Sequence, residues 1–114
     1  MNERERPTLN SARTYPIEPS RLLPTVRRAV EGLPRWRRAN AEGDEVRAVR
    51  KTRLFRFEDD VAARVYPDPN GARLELTSAS RLGKGDLGQN PRNLAELLRA
   101  VDREAGSPGV PPRG

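Results

Sequence analysis

Two stretches of this sequence hold the side chains that could do chemistry: an acidic run and a loop rich in serine and glycine. The acidic run is 58–60, with Asp59 at its centre. The polar residues of the second stretch are Ser78, Ser80, Arg81, Lys84, Asp86 and Asn90. Carboxylates, hydroxyls and basic groups in proximity could bind a polar or anionic ligand, or could serve a carboxylate-based enzyme that holds Mg²⁺ or Ca²⁺.

The residue types that are missing narrow this chemistry. The chain of 114 residues contains no histidine and no cysteine. Histidine is the commonest general base near neutral pH, and cysteine supplies thiolate nucleophiles. Triads built on either residue, and zinc sites built on imidazole or thiolate, are therefore excluded. We expect a non-enzymatic binding or accessory module, with no cofactor and no metal centre, and we keep a carboxylate-based enzyme as the alternative.

The acidic run and the loop belong to two strands predicted from alternation. In 54–66 the odd positions are apolar apart from Asp59, and 73–82 alternates in the same way. The intervening PDPNGA is rich in turn-forming residues and predicts a hairpin. In that hairpin Asp59 lies opposite Ser80, while Asp60 points to the other face. An aspartate within an apolar row needs partners, because an unpaired buried charge is very costly.

Apolar residues at helical spacing predict two amphipathic helices. The first follows an N-cap at Ser20, starts late enough to hold Pro24 in its first turn, and ends at Gly32. The second follows an N-cap at Asn90 and has Pro91 in its first turn.

Further strands complete the pattern. They are predicted at 13–17, at 35–41 and from Glu45 onwards. The order is β-α-β-β-β-β-α, which predicts an antiparallel sheet of four to five strands with two helices on one face. We expect one α+β domain over 13–105, with disordered tails at 1–12 and 106–114.

Three segments together resemble a known family: TRLFRFEDDV at 52–61, TSASRLGKGDLGQN at 77–90 and the helix NLAELLRAV that follows. They are similar to the bacterial and plastid family catalogued as domain of unknown function 1499. The matching residues are Arg53, Phe55, Phe57, Asp59 and Asp60 on the strand, and Ser78, Ser80, Arg81, Gly83, Asp86, Gly88 and Asn90 in the loop. The resemblance spans 14–103 and implies a fold but no known activity. Many members have an N-terminal membrane or lipoprotein segment with a cysteine motif, which the resemblance does not extend to this chain.

The net charge of +6 comes from the first half of the chain, since 1–53 carries thirteen basic and seven acidic residues and 54–114 carries nine of each. A basic patch is predicted at Arg27, Arg28, Arg35, Arg37 and Arg38. Such a patch could bind nucleic acid. Aromatic residues make up only 4% of the chain, which disfavours base stacking. We therefore keep a weak basic nucleic-acid binder as a further alternative only. The partner stays unknown, with a small anionic ligand or another protein as the candidates.

GKGDLG at 83–88 fits a dinucleotide-binding pattern, but that fold needs a second parallel strand after the helix, and little of the given sequence follows 105. A less demanding hypothesis is that an anion binds at the start of the second helix, near Arg81 and Lys84.

No apolar stretch approaches the roughly 18–20 residues that cross a bilayer, so we expect no membrane span. The N-terminus has no apolar run after its charges, and we expect a cytoplasmic protein.

Overall fold

A computed structural model of the chain describes residues 8–51, 58–81 and 89–112. Its elements are β1 (Thr8–Tyr15), α1 (Pro19–Glu31), β2 (Trp36–Glu42), β3 (Glu45–Lys51), β4 (Glu58–Asp68), β5 (Gly71–Ser80) and α2 (Gln89–Ala105). This is the predicted order β-α-β-β-β-β-α, and the α+β class is confirmed.

The strands form one antiparallel sheet of five in the order β1-β5-β4-β3-β2. In the β4–β5 hairpin Asp59 pairs with Ser80, as the alternation predicts. Burial alternates along β5, with every second residue buried. The hairpin turn ends at Gly71, where a Cβ would lie 2.2 Å from the carbonyl oxygen of Tyr15. Glycine therefore lets this turn approach the end of β1.

Both helices pack on one face of the sheet, and their apolar stripes form the core with it. α1 contacts four strands and α2, while α2 also contacts β1 and β5. The larger buried core residues are Tyr15, Leu22, Val26, Val30, Trp36, Val46, Val61, Val65, Leu74, Leu76, Leu94, Leu97, Leu98 and Val101. In the described part of the chain, no helix has the length and apolar character needed to cross a membrane.

The helix starts differ from the sequence prediction. α1 begins at Pro19 after Glu18, so Ser20 is not its N-cap and Pro24 lies inside the helix. Proline is well suited to the first helical position, and Pro24 removes only one main-chain bond near the exposed start. α2 begins at Gln89, which places Asn90 within the first turn and not at the N-cap.

The chain also forms strand structure outside the predicted bounds. β1 begins at Thr8, so residues 8–12 belong to the sheet because main-chain pairing with β5 does not require apolar side chains. Val110 lies in the segment predicted to be loose, and it exchanges two main-chain hydrogen bonds with Thr14, of 2.7 and 3.0 Å. The extended stretch predicted from Glu45 is two antiparallel strands, and its residues 52–57 lie outside the described residues.

Tyr15 connects β1, α2 and the C-terminal segment. Its side chain is only 1% exposed, and its hydroxyl donates a 2.6 Å hydrogen bond to Asp102 Oδ1. The main-chain N–H of Gly109 donates to the same oxygen over 3.0 Å. Burial and the hydrogen bond to Asp102 raise the pKa of Tyr15 above its usual value.

We expect Tyr15→Phe to lower the free energy of unfolding by about 1–3 kcal/mol, because the half-buried carboxylate of Asp102 loses a donor. Since the pKa of Tyr15 is raised in the fold, its contribution is present below pH ~10 and lost at higher pH. Urea unfolding at pH 7 and at pH 11 measures both effects. The control is Tyr66→Phe, which removes the same atom from a half-buried β4 residue. Equal losses in the two variants would contradict the assigned role.

Candidate functional site

A group of buried polar side chains lies between the β4–β5 hairpin and the first turns of α2. We call it the polar cluster, and its members are Asp59, Ser78, Ser80, Asn90 and Asn93. Each of these residues is at most 6% exposed. The strand residues share the core face through the two-residue alternation, and the two asparagines share a helix face because they are three residues apart. Local periodicity therefore directs all five into one layer.

Asn93 is the centre of the hydrogen-bond network. Its Nδ2 donates to Asp59 Oδ2 over 2.9 Å and to Ser78 Oγ over 3.0 Å. Ser78 Oγ in turn donates to Asn90 Oδ1 over 2.7 Å. Gln89 Nε2 donates to Asn93 Oδ1 over 2.7 Å. The network thus connects the start of α2 to two adjacent strands.

Asn93 is not among the site residues predicted from the sequence, although its position on α2 carries a signal. Asn93 lies on the stripe of α2 that also holds Leu94, Leu97 and Val101, all of them buried. A polar amide on an apolar helix face needs a buried partner. The nearest candidate by burial is Asp59, the charged residue of the apolar row in β4. Pairing these two exceptions to the apolar patterns would have found the contact.

A second group of polar contacts adjoins the polar cluster along the same row of the sheet. Trp36 pairs with Arg50 across β2 and β3, and Arg50 pairs with Asp59 across β3 and β4. Trp36 Nε1 and Arg50 Nε both donate to Glu96 Oε1, the latter over 3.0 Å. The side chain of Arg50 is only 11% exposed. Among the described residues its terminal guanidinium nitrogens have no hydrogen-bond partner.

The charge on Glu96 is stabilised by these donors. Burial on its own would raise the pKa of Glu96, but the hydrogen bonds from Trp36 and Arg50 outweigh it. The pKa therefore lies below its usual value, and the carboxylate stays ionised at neutral pH.

The structure brings together four of the seven ligand-binding residues predicted from the sequence: Asp59, Ser78, Ser80 and Asn90. Arg81 lies apart from them on the sheet face opposite the helices, which we call the uncovered face. There it forms a bidentate ion pair with Asp60 and also bonds Glu58 over 2.9 Å. The side chains of Arg81 and Asp60 both point away from the helices, and they therefore meet on this face. The other two predicted residues, Lys84 and Asp86, lie outside the described residues.

The predicted basic patch is divided between two faces. Arg28 is on α1 and pairs with a glutamate of α2, whereas Arg37 is on β2 and pairs with a glutamate of β4 on the uncovered face. Arg27 is half-buried, and Arg35 is exposed after the end of α1. The side chain of Arg38 lies outside what the structure describes.

The acidic run is also divided, with Asp59 facing the helices and Asp60 bound to Arg81 on the opposite face. Within 8–51, 58–81 and 89–112, no group of three acidic side chains could hold a metal ion.

Comparison with known protein families identifies the family of this chain. Residues 3–101 match the family described as "Protein of unknown function (DUF1499)". The chain belongs to this family. The resemblance noted from the strand and loop motifs is thereby confirmed, and the family description names no activity. No curated protein matches the chain.

Solved structures share the fold of this family member. A putative uncharacterized protein from Rhizobium leguminosarum is 10% identical, covers 89% of this chain and 95% of its own, and has a TM-score of 0.54. A protein from Chromobacterium violaceum is 12% identical, covers 87% of this chain and 95% of its own, and has a TM-score of 0.51. At such identities the likeness shows the fold alone.

We expect Asp59→Ala to lower the free energy of unfolding by about 1–3 kcal/mol, because Asn93 loses its buried acceptor. Asp60→Ala is the matched control and should cost about 0–1 kcal/mol, since its ion pair with Arg81 is exposed. Urea melts of both variants beside the wild type measure the difference. Equal midpoints would show that the buried contact contributes no more than the exposed one.

Glu96 should make stability depend on acid. Because its pKa is lowered in the fold, its contribution is present above pH ~4.5 and is lost as the pH falls further. Glu96→Gln should therefore reduce stability at pH 7 and flatten the decline between pH 5 and pH 3. Urea unfolding across this range measures the slope. Glu104→Gln, which alters an exposed ion pair, should leave the slope unchanged.

Proposed function

We propose that this domain is a non-enzymatic binding module whose ligand binds at the end of the sheet where α2 begins. The observation that carries the proposal is the position of the polar cluster. Of the buried polar or charged residues in the described chain, only Thr25 lies outside it. The rest of the described core is apolar.

The cost of the polar cluster supports a role beyond stability. Replacing both partners of a buried hydrogen bond by apolar groups of the same shape can leave stability nearly unchanged. Satisfied polar networks instead fix one geometry of the groups around them. Here the network fixes the positions of the start of α2, of β4 and of the end of β5 relative to one another. Departures from apolar packing in natural proteins are expected at functional sites.

Arg50 supports an anionic ligand. Its Nε is held by Glu96, and its carbon stem is buried, so the guanidinium is fixed before any ligand arrives. The terminal nitrogens form a planar fork that suits a carboxylate or a phosphate. The proposed ligand is therefore a small molecule with one such group. The same proposal includes Lys84 and Asp86, which the sequence predicts as further ligand-binding residues. It also includes a cytoplasmic location for the protein.

The carboxylate-based enzyme has less support from the described contacts. The Ser78 hydroxyl donates to Asn90 Oδ1 and accepts from Asn93 Nδ2. Neither amide is a base, so the hydroxyl is not activated as a nucleophile in this arrangement. Asp59 accepts a hydrogen bond from Asn93, which is a contact that fixes position.

The test is a thermal-shift and calorimetric screen with inorganic phosphate, citrate, acetate and nucleoside monophosphates. We expect at least one anion to stabilise the wild type, by about 2.7 kcal/mol at 100 times its Kd. Arg50→Gln should abolish the shift, and Arg50→Lys should retain part of it because the charge remains without the fork. The matched control is Arg47→Gln on the same strand, where the side chain pairs with Glu45 on the other face.

Two results would contradict the proposal. One is that none of these anions stabilises the wild type. The other is that an anion stabilises the Arg50 variants as much as it stabilises the wild type and the Arg47 variant. Unfolding curves without ligand show whether each variant folds. Glu96→Ala is a second variant that retains Arg50 but removes the acceptor of its Nε, and it should weaken binding without abolishing it.

A further inference from the structure

The solvent-facing side of α2 carries three arginines in one line. Arg92, Arg99 and Arg103 are all exposed. They are separated by seven and then four residues, which places them on one helical face. At 1.5 Å per residue the line extends over about 16 Å. We call these three residues the arginine line.

α2 carries as many acidic as basic residues, yet its acidic side chains are all engaged. Glu96 accepts from Trp36 and Arg50, while Asp102 accepts from Tyr15 and the Gly109 N–H. Glu104 pairs with Arg28 of α1. The arginine line has no hydrogen-bond or ion-pair partner among the described residues. A helix that is neutral in sequence therefore presents positive charge to solvent.

The opposite side of the molecule differs in this respect. Arginines on the uncovered face of the sheet form ion pairs: Arg37–Glu58, Arg47–Glu45, Arg64–Glu45, Arg73–Glu75 and Arg81–Asp60. The helix side adds the exposed Arg21 of α1, which lines the groove between the two helices. Apart from Lys51, the described basic residues of the uncovered face are thus paired, whereas the arginine line is not.

We propose that the arginine line is a docking surface for the phosphate backbone of a nucleic acid. Phosphate contacts can supply essentially all of the affinity in sequence-independent binding, and they require no aromatic residues. The scarcity of aromatic residues, which argued against base stacking, does not argue against this mode. The surface would contact phosphates and leave the bases unread.

The chemistry around the arginine line favours a nucleic acid over other anionic partners. Among large hydrophobic residues of the described chain, only Val110 is exposed, at 54%. Helices that lie on membranes insert apolar side chains, but the apolar face of α2 is buried in the core. Protein interfaces depend on aromatic or aliphatic residues at their centre, which this surface lacks among the described residues.

The experiment measures binding of the full chain to a labelled 20-base-pair DNA duplex by fluorescence anisotropy between 50 and 200 mM salt. Three phosphate contacts predict a slope of log K against log salt near −2.7, which is about a 40-fold loss over this range. The triple variant R92Q/R99Q/R103Q should lose binding at 50 mM salt. The control R47Q/R64Q/R73Q removes the same charge from the uncovered face and should bind within a few-fold of wild type.

Three results would overturn the proposal. Equal loss in the two triple variants would assign the binding to net charge and not to this surface. Unchanged binding by the α2 triple variant would remove the arginine line from the interface. Tighter binding to vesicles containing phosphatidylserine than to DNA at equal salt would assign the surface to lipid. Circular dichroism melts verify that the variants fold. If a triple variant does not fold, the single variant Arg99→Gln tests the same surface, with a smaller expected loss of binding.

Discussion

The hydrogen bond between Asn93 and the buried carboxylate of Asp59 sets the relation of α2 to the sheet. A carboxylate in this position needs donors, because an uncompensated buried charge is more costly than any single apolar contact is favourable. One such donor comes from the layer above the sheet, where Asn93 supplies it over 2.9 Å. The same amide reaches Ser78 of the neighbouring strand, so the position of α2 along the hairpin is fixed by both strands.

The β4–β5 hairpin shows how far the sequence alone could go. Strict alternation on both strands and a turn rich in proline, asparagine and glycine are enough to set the pairing of Asp59 with Ser80, because a slip by one residue would expose the whole apolar row. The element order and the α+β class follow from the same periodicities. Asn90 was assigned to the wrong helix position because capping preference is local and the buried contact to Ser78 is not.

The residues that sequence reasoning did not find share one property: their roles depend on partners far along the chain. Glu96 accepts from Trp36, which is 60 residues away, and from Arg50, which is 46 residues away. From the pattern of α2 alone, Glu96 is predicted to be an ordinary surface glutamate. β1 was placed too late for a related reason, since residues 8–12 are held by main-chain pairing to β5 and carry no apolar alternation. The net charge of α2 summed from the sequence is misleading for the same reason, because the sum ignores the distant partners of Asp102 and Glu104.

The bridge between Val110 and Thr14 has a consequence for solubility. The outermost strands of a sheet have unpaired main-chain groups that can recruit other chains and start aggregation. At β1, Val110 occupies the N–H and the carbonyl of Thr14, and Gly109 lies so close to Tyr15 that a Cβ there would be 2.5 Å from the phenol ring. The other outer strand, β2, is rich in charged residues, which disfavours such pairing. The residues after α2 therefore give the sheet a partial cover against self-association, and a substitution of Gly109 would weaken it.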